Sequence, residues 1–526
     1  MDEGPVSAAG KSRPSWKLAP PIAEATQGLV VTGFGNLETG RALFLEILAE
    51  KAGGGWLGAL AEVAPITAAV PPPKDAPAAQ ARAAAIAFTW TGLARMGLDE
   101  AALASFSRPF REGMFQEDRL RRLGDRRSGA WLETVIKDGP IWSGNTPVPA
   151  EAEGEERIDT RVTVHALLML YAHDEADADA WAGDVEAALA PHLVRIVHRL
   201  PLVLDVEGAG ISREHFGFAD GLSQPEPYDE GGAVTVGGAP AAKDEVQGIP
   251  LGEVVMGYAN GHAERAPGPA VPDDSAHAPT AAGLPPHPDA EGFFDLGLNG
   301  SYMVVRELKQ DVAEFWNSMD ENTARIRAQD PDHSSHVTAD WLAERVIGRD
   351  LEGHLLCPGG KLAAGEDNLP RNDFCFFDTD PHGVGCPPGS HVRRANPRDA
   401  LAPTAGDKEA LLEAANNHRI LRRGRKFGPK VADYRKPDGK DRGLLFVCLN
   451  TDIARQFEFV QQTWLLNANF ATLFDETDPL VGPKGRMTIR EEPLRRTVNV
   501  ETFVQFAGGE YFFLPSLPAL AYLTSR

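Results

Sequence analysis

Apolar runs and amphipathic stretches alternate along the chain in a strand–helix–strand rhythm. Residues 160–174 (TRVTVHALLMLYAHD) are β-branched and apolar and predict a strand. Residues 177–193 set Ala, Trp, Val and Leu at helical spacing and predict an amphipathic helix, and 194–206 predict a further strand. Upstream, 26–34 predict a strand, 38–51 (ETGRALFLEILAEK) a helix, and 83–97 a strand running into a turn. The second half repeats the plan. A strand is expected within 293–308, helices over 309–319 and 339–348, a strand ending in a turn over 418–428, and an apolar strand over 443–450. A helix over 451–466 capped by Thr451 or Asp452 follows, then a closing strand or hairpin over 501–515. Strands and helices mixed in this order predict an α+β sandwich of two similar halves.

Punctuation marks the boundaries. Residues 226–290 are rich in Gly, Pro and Ala and predict long connections between the halves. We therefore expect a loose N-terminus over 1–25, a first domain over 26–250, connecting loops over 251–290 and a second domain over 291–526. Gly33-Phe34-Gly35 looks like the start of a dinucleotide fingerprint, but Glu38 stands where the third glycine belongs and its carboxylate would repel pyrophosphate.

Charge narrows the function classes. The chain has 526 residues, with 52 Lys and Arg against 75 Asp and Glu, a net charge of −23 that disfavours nucleic acid and anionic membranes as partners. Four cysteines in a chain this long make no disulfide framework and fit a reducing compartment. No apolar run approaches the roughly 20 residues that span a bilayer. The first residues show neither a signal-peptide core nor a twin-arginine pair, so a cytoplasmic protein is expected.

Three separated pieces carry candidate chemistry. Residues 378–398 (DTDPHGVGCPPGSHVRRANPR) set His391 in a frame of Pro387, Pro388, Gly389 and Ser390, ahead of Arg393, Arg394 and Arg398. Gly and Pro predict a shaped loop rather than a helix face under that imidazole. An imidazole beside several guanidinium groups suits an anionic, metal-containing cofactor; a basic surface loop with an incidental histidine is the plainer alternative. In HFGFADGLSQP (215–225), Asp220 sits in a tight, apolar-flanked turn, where it either does chemistry or accepts backbone N–H groups. In ILRRG (420–424), a mostly apolar strand carries Arg422 and Arg423, one of which is expected to face inward to an anion.

Together these pieces resemble the dye-decolorizing peroxidases, a haem peroxidase family. The resemblance rests on Gly217-Phe218-Ala219-Asp220-Gly221, on the run from Ser390 to Arg398 and on the strand holding Arg422. It is extended by 300–316, 442–450 and 508–515, so it spans roughly residues 26–515 and is most like the longer members with extra loops. It implies an α+β fold of tandem ferredoxin-like domains of the dimeric α+β barrel type, antiparallel sheets with peripheral helices. It also implies one haem b per chain in the C-terminal half. His391 would be the proximal iron ligand and Asp478 the acceptor of its N–H; Asp220 and Arg422 would stand on the distal face. Leu444 and Phe446 would wall the distal pocket, and Arg398 would meet a haem propionate. Some members carry an Asn two residues after the distal Arg; Gly424 stands there, so no such assistance is expected.

The activity implied is oxidation of aromatic donors, phenols and dyes, by hydrogen peroxide in one-electron steps through a ferryl intermediate, in a possible homo-oligomer. The alternative is a haem-handling protein of deferrochelatase type without peroxidase turnover. A zinc site built from His354, Cys357, Cys375, His382, Cys386 and His391 is the other reading of the same region, but tight ligand pairs are missing. For bulky donors, the family likeness implies electron relay through Trp or Tyr, with Tyr302, Trp316, Trp464 and Tyr511 as candidates that core packing explains equally well.

Overall fold

The computed structural model describes residues 15–70, 81–144, 158, 160–207, 211–273, 279–280, 282–363, 369–491 and 493–526. Residues 1–14 of the expected loose N-terminus and part of the expected connection over 251–290 lie outside them. Residues 15–25 are not loose: they form a strand, Trp16–Leu18, and a short helix, Pro20–Ala25.

Two βαββαβ units follow one another. The first contains β1 (Thr39–Ile47), a helix over Gly55–Val63, β2 (Ala83–Phe88), β3 (Ala166–Ala172), α1 (Glu175–Leu189) and β4 (Val194–Val203). Its strands lie in the order β4-β1-β3-β2. A hairpin, β5 (Ile211–Arg213) and β6 (Ala219–Asp220), comes next. The second unit contains β7 (Ser301–Gln310), α2 (Val312–Gln329), α3 (Ala339–Ile347) and a one-turn helix α4 (His391–Ala395). It continues with β8 (Leu421–Arg422), β9 (Arg425–Phe427), β10 (Gly443–Asn450), two π-helical turns (Ala454–Glu458 and Val460–Leu465) and β11 (Val504–Leu514).

The second sheet repeats the order of the first, as β11-β7-β10-β9. This is the tandem ferredoxin-like fold that the resemblance implies. The units close edge to edge, Lys426 of β9 beside Val203 of β4 and Phe513 of β11 beside Phe88 of β2, into one barrel. Closure leaves no free edge between the halves.

Period-2 alternation then sorts the side chains. On β10, Leu445, Val447 and Leu449 join Met303 and Val305 of β7 in one buried core, while Leu444 and Phe446 face the other way. On α1, Ala178, Trp181, Ala182, Val185 and Leu189 make the buried stripe, and Asp174 Oδ1 caps its start by accepting from Asp177 N at 2.8 Å.

Several expectations need correction. Residues 38–51 are not a helix: Thr39–Ile47 is the strand between β3 and β4, with eight of its nine residues buried. A strand buried on both faces shows no alternation, and its Leu, Ala and Glu content mimics helix propensity. Residues 26–34 are not a strand but a turn around a 3₁₀ segment, Gly28–Val30. After β2 the chain enters a helix, Trp90–Arg95, rather than a turn.

Candidate active site

His391 is the first residue of α4 and not a loop residue as expected. Pro387 and Ser390 make the turn before it, with Ser390 Oγ donating to Pro387 O at 2.6 Å. Ser390 itself is extended (φ −64°, ψ 146°), and its carbonyl accepts from Arg394 N at 3.0 Å, which starts the helix. Arg393 and Arg394 point inward, not to solvent. Arg393 donates to the carbonyls of Asp380 and Cys386, both at 3.0 Å. Arg394 staples four carbonyls, those of Trp464, Leu465, Asn467 and Glu476.

His391 Nδ1 lies 3.0 Å from Asp478 Oδ2, which leaves Nε2 for the cavity the residue lines. Asp478 is fully buried, and its other oxygen accepts from the amides of Leu480 and Val481 at 2.9 Å each. Burial alone would raise this carboxyl; His391, the Val481 amide and Arg394 outweigh it and hold it below the usual carboxylate range. Such a partner fixes the imidazole tautomer and increases its electron donation.

The cavity holds about 280 Å³ and lies between the outer face of β7 and β10 and the segments that cover it. Leu444 and Phe446 wall it, together with Phe457, Val460 and Leu465 from the π-helical turns. Asp220, carried by the β5–β6 hairpin of the first unit, reaches it across the unit boundary. There Arg422 Nη1 donates to Asp220 Oδ1 at 3.3 Å. Of the two adjacent arginines, Arg422 lines the cavity, while Arg423 turns away to donate to Leu29 O and Val30 O at 2.8 Å each. At Gly424 a Cβ would stand 2.5 Å from Leu445 O, so the strand crossing excludes a side chain there.

Arg398 also lines the cavity and is buried, with Nη1 donating to Asn372 O and Phe374 O at 2.7 and 2.6 Å. Two arginines that sequence reasoning missed stand with it, Arg349 and Arg419. These three guanidinium groups bond carbonyls and side-chain amides. Burial, with repulsion from Arg422, pushes Arg349 and Arg419 down to about 10; burial, with repulsion from Arg419 and Arg349, pushes Arg398 well below its ordinary value. Arg419 Nη1 and both amide atoms of Asn396, all on cavity-lining residues, are buried without a hydrogen-bond partner among the described residues. Buried cations, orphaned donors, an imidazole and apolar side chains lining one cavity fit a flat, largely apolar group with anionic substituents and a metal. Haem b is such a group. Arg419 lies three residues before Arg422, within the strand expected over 418–428, and could have been found there; Arg349 had no motif to mark it.

His382 is exposed and outside the cavity. The aromatic residues proposed for relay are core: Tyr302, Trp316, Trp464 and Tyr511 are all buried. Among the described residues, no helix is long and apolar enough to cross a membrane.

No protein-family model matches the chain. A dye-decolorizing peroxidase of Mycetinis scorodonius is 26% identical over 467 residues, 84% of this chain and 76% of the relative. A multifunctional dye peroxidase of Amycolatopsis sp. is 28% identical over 393 residues, 69% of this chain and 71% of the relative. A dye-decolorizing peroxidase solved with 2,6-dimethoxyphenol shares the fold with a TM-score of 0.67 at 24% identity, covering 96% of this chain and 99% of that one. Deferrochelatase of Yersinia pestis matches 165 residues at 28% identity, 31% of this chain and 28% of the relative.

Proposed function

The chain is a relative of the dye-decolorizing peroxidases, and we propose that it is itself a haem peroxidase that uses hydrogen peroxide to oxidise aromatic donors by one-electron steps. The observation that carries this reading is the Asp220–Arg422 pair, set in one cavity with an Asp478-backed imidazole. His391 would hold the iron of haem b through Nε2. Arg398, with Arg349 and Arg419 beside it, would meet the propionates. Bound there, haem supplies the redox-active iron that takes two electrons' worth of oxidising power from peroxide and returns it to two donor molecules.

The protein's own part is to move a proton and steady a charge. Cleavage of H₂O₂ to water needs a proton carried from the inner to the outer oxygen. Asp220 takes that proton from the inner oxygen on Oδ1 or Oδ2 and delivers it to the outer one. The Arg422 guanidinium stabilises the charge developing on the departing oxygen and keeps Asp220 aimed. Leu444 and Phe446 add apolar wall to the cavity that the pair lines. The balance is H₂O₂ plus two donors AH giving two waters and two A radicals.

The alternative, haem handling without turnover, draws on a likeness that covers less than a third of the chain. Steady-state oxidation of 2,6-dimethoxyphenol by the haem-loaded chain separates the two. Peroxide-dependent turnover that survives repeated cycles supports the peroxidase. Release of iron from haem with no phenol oxidised would replace it.

A further inference from the structure

The turn that presents Asp220 is tied by a carboxyl group that the peroxide chemistry above does not use. Glu214 opens the loop between β5 and β6, and its side chain folds back into that loop. Oε2 accepts from Phe216 N at 2.7 Å and Oε1 from Phe218 N at 2.9 Å. Gln310 Nε2, from the end of β7, donates to Oε2 at 2.8 Å. Three donors converging on two oxygens suit a carboxylate: Oε2 already accepts two of them, so a proton there would displace one, and a proton on Oε1 would weaken its acceptance from Phe218 N. Phe216 and Phe218 pack on Phe315 and Trp316 of α2, so the loop is held on its apolar side as well. Two residues beyond Phe218, Asp220 pairs in register with Ser212 and meets Arg422.

We propose that Glu214 is a positioning residue for Asp220: its carboxylate holds the 214–220 hairpin in the geometry that sets Asp220 against Arg422, and its protonation loosens that hairpin. The accessible surface Glu214 retains opens onto the cavity, and the surrounding protein and then the nearby Asp220 charge push its carboxyl up to about 7, against the pull of its three donors. The clamp is therefore closed above neutrality and open below it. Asp220 is the charged group acting on Glu214 from its own hairpin. Arg213 is engaged elsewhere, with Gly217 O, Leu351 O and Glu352. Of the elements packed against the loop, β7 contributes Gln310, α2 contributes Phe315 and Trp316, and the Tyr434 phenol lies over Gly217; the loop's own His215, lowered to about 4 by burial, bonds Phe427 O of β9 beside Lys426. The positioning of the hairpin stands independently of the peroxidase reading, and its effect on rate rests on that reading.

Two arms test it. In the haem-loaded wild type, hydrogen-exchange protection of the Phe216 and Phe218 amides is expected to fall about tenfold between pH 8 and pH 6, after correction for intrinsic exchange. Protection that is equal at both pH values overturns the proposal, and this arm needs neither a variant nor turnover. In the second arm, Glu214→Gln slows the reaction with hydrogen peroxide about tenfold at pH 8. The wild-type-to-variant ratio is expected to shrink toward one at pH 5.5, and the same change in an Asp220→Asn background should cost less than about twofold. A ratio independent of pH, or full additivity with Asp220→Asn, means Glu214 does not act through Asp220 and overturns the proposal. If the wild type does not react with peroxide at all, the peroxidase reading fails and the amide protection alone decides the clamp.

Discussion

Asp478 shows how one buried residue sets the character of another. It presents one oxygen to His391 Nδ1 and the other to two backbone amides, so it is held as an anion inside protein. The same economy appears at His165, whose Nδ1 accepts from Ile47 N at 2.9 Å and which must stay neutral to do so. At the scale of single residues, the clearest expectation concerns His391. His391→Ala should leave the purified chain with little haem, as read from the ratio of haem to protein absorbance; normal haem content would remove this residue from the role of ligand. The residues of this pair lie 87 positions apart. Their partnership reached the sequence reading through family likeness alone, because no local spacing encodes it. Asn396 and Gln310 were not legible in the sequence for the same reason: each carries a buried polar atom without a partner among the described residues, which only the fold determines.

Elements carry side chains to the cavity by simple means. Alternation on β10 sends Leu444 and Phe446 outward and Leu445 and Val447 inward, so one strand builds both the barrel core and the cavity wall. The helix α4 has five residues, too few to persist by its own hydrogen bonds. Its place depends on Arg394, whose guanidinium bonds the four carbonyls of the segment it faces. Arg394→Met keeps much of the apolar stem but removes all four of these charge-assisted bonds, and should destabilise the chain by about 3 kcal/mol. A fall in the denaturant midpoint together with weakened haem retention is the expected result; an unchanged midpoint would show that α4 is held by packing alone. The helical spacing of α1 and the unbroken apolar runs of β3 and β10 were legible in the sequence. β1 was not, because it is buried on both faces without alternation and its Arg41, Ala42, Leu43, Leu45 and Glu46 favour a helix locally. The Gly33-Phe34-Gly35 stretch proved to be a structural acceptor: Arg425 donates to the carbonyls of Gly33 and Phe34 at 2.7 and 2.8 Å.

Over the whole molecule, two units that repeat the 4-1-3-2 strand order share one closed barrel, and the candidate site is assembled across them. The first unit delivers Asp220 and Glu214, and the second delivers His391, Arg422 and the walls. The repeat of strand and helix was legible in the chain, but the closure was not, since the seams consist of single short pairings between β4 and β9 and between β2 and β11. Buried titratable groups give the whole fold a pH dependence. Burial lowers both His165 and His215 to about 4 from an ordinary 6.5. Between those values the unfolded chain binds the extra protons, so stability rises with pH from about 4 to about 6.5, by on the order of 3 kcal/mol for each histidine. Glu214, raised to about 7, acts in the opposite sense from about 4.5 upward, as do the lesser upward shifts that burial gives Asp125, Asp295, Glu314 and Glu344, while His418, also lowered by burial, adds to the two histidines. Denaturant midpoints of the haem-free chain should therefore climb across this window; a flat profile would contradict the neutral state of the two histidines. The central claim is that this cavity binds haem and that Asp220 and Arg422 make it reactive toward peroxide. It is tested most directly by rapid mixing of the haem-loaded wild type and Arg422→Leu with hydrogen peroxide, followed through the haem absorption band. The account predicts a prompt spectral change in the wild type and one slowed by about 10² to 10³ in the variant, which retains its haem. A haem band that peroxide leaves unchanged in the wild type, or equal rates in the two proteins, would contradict it.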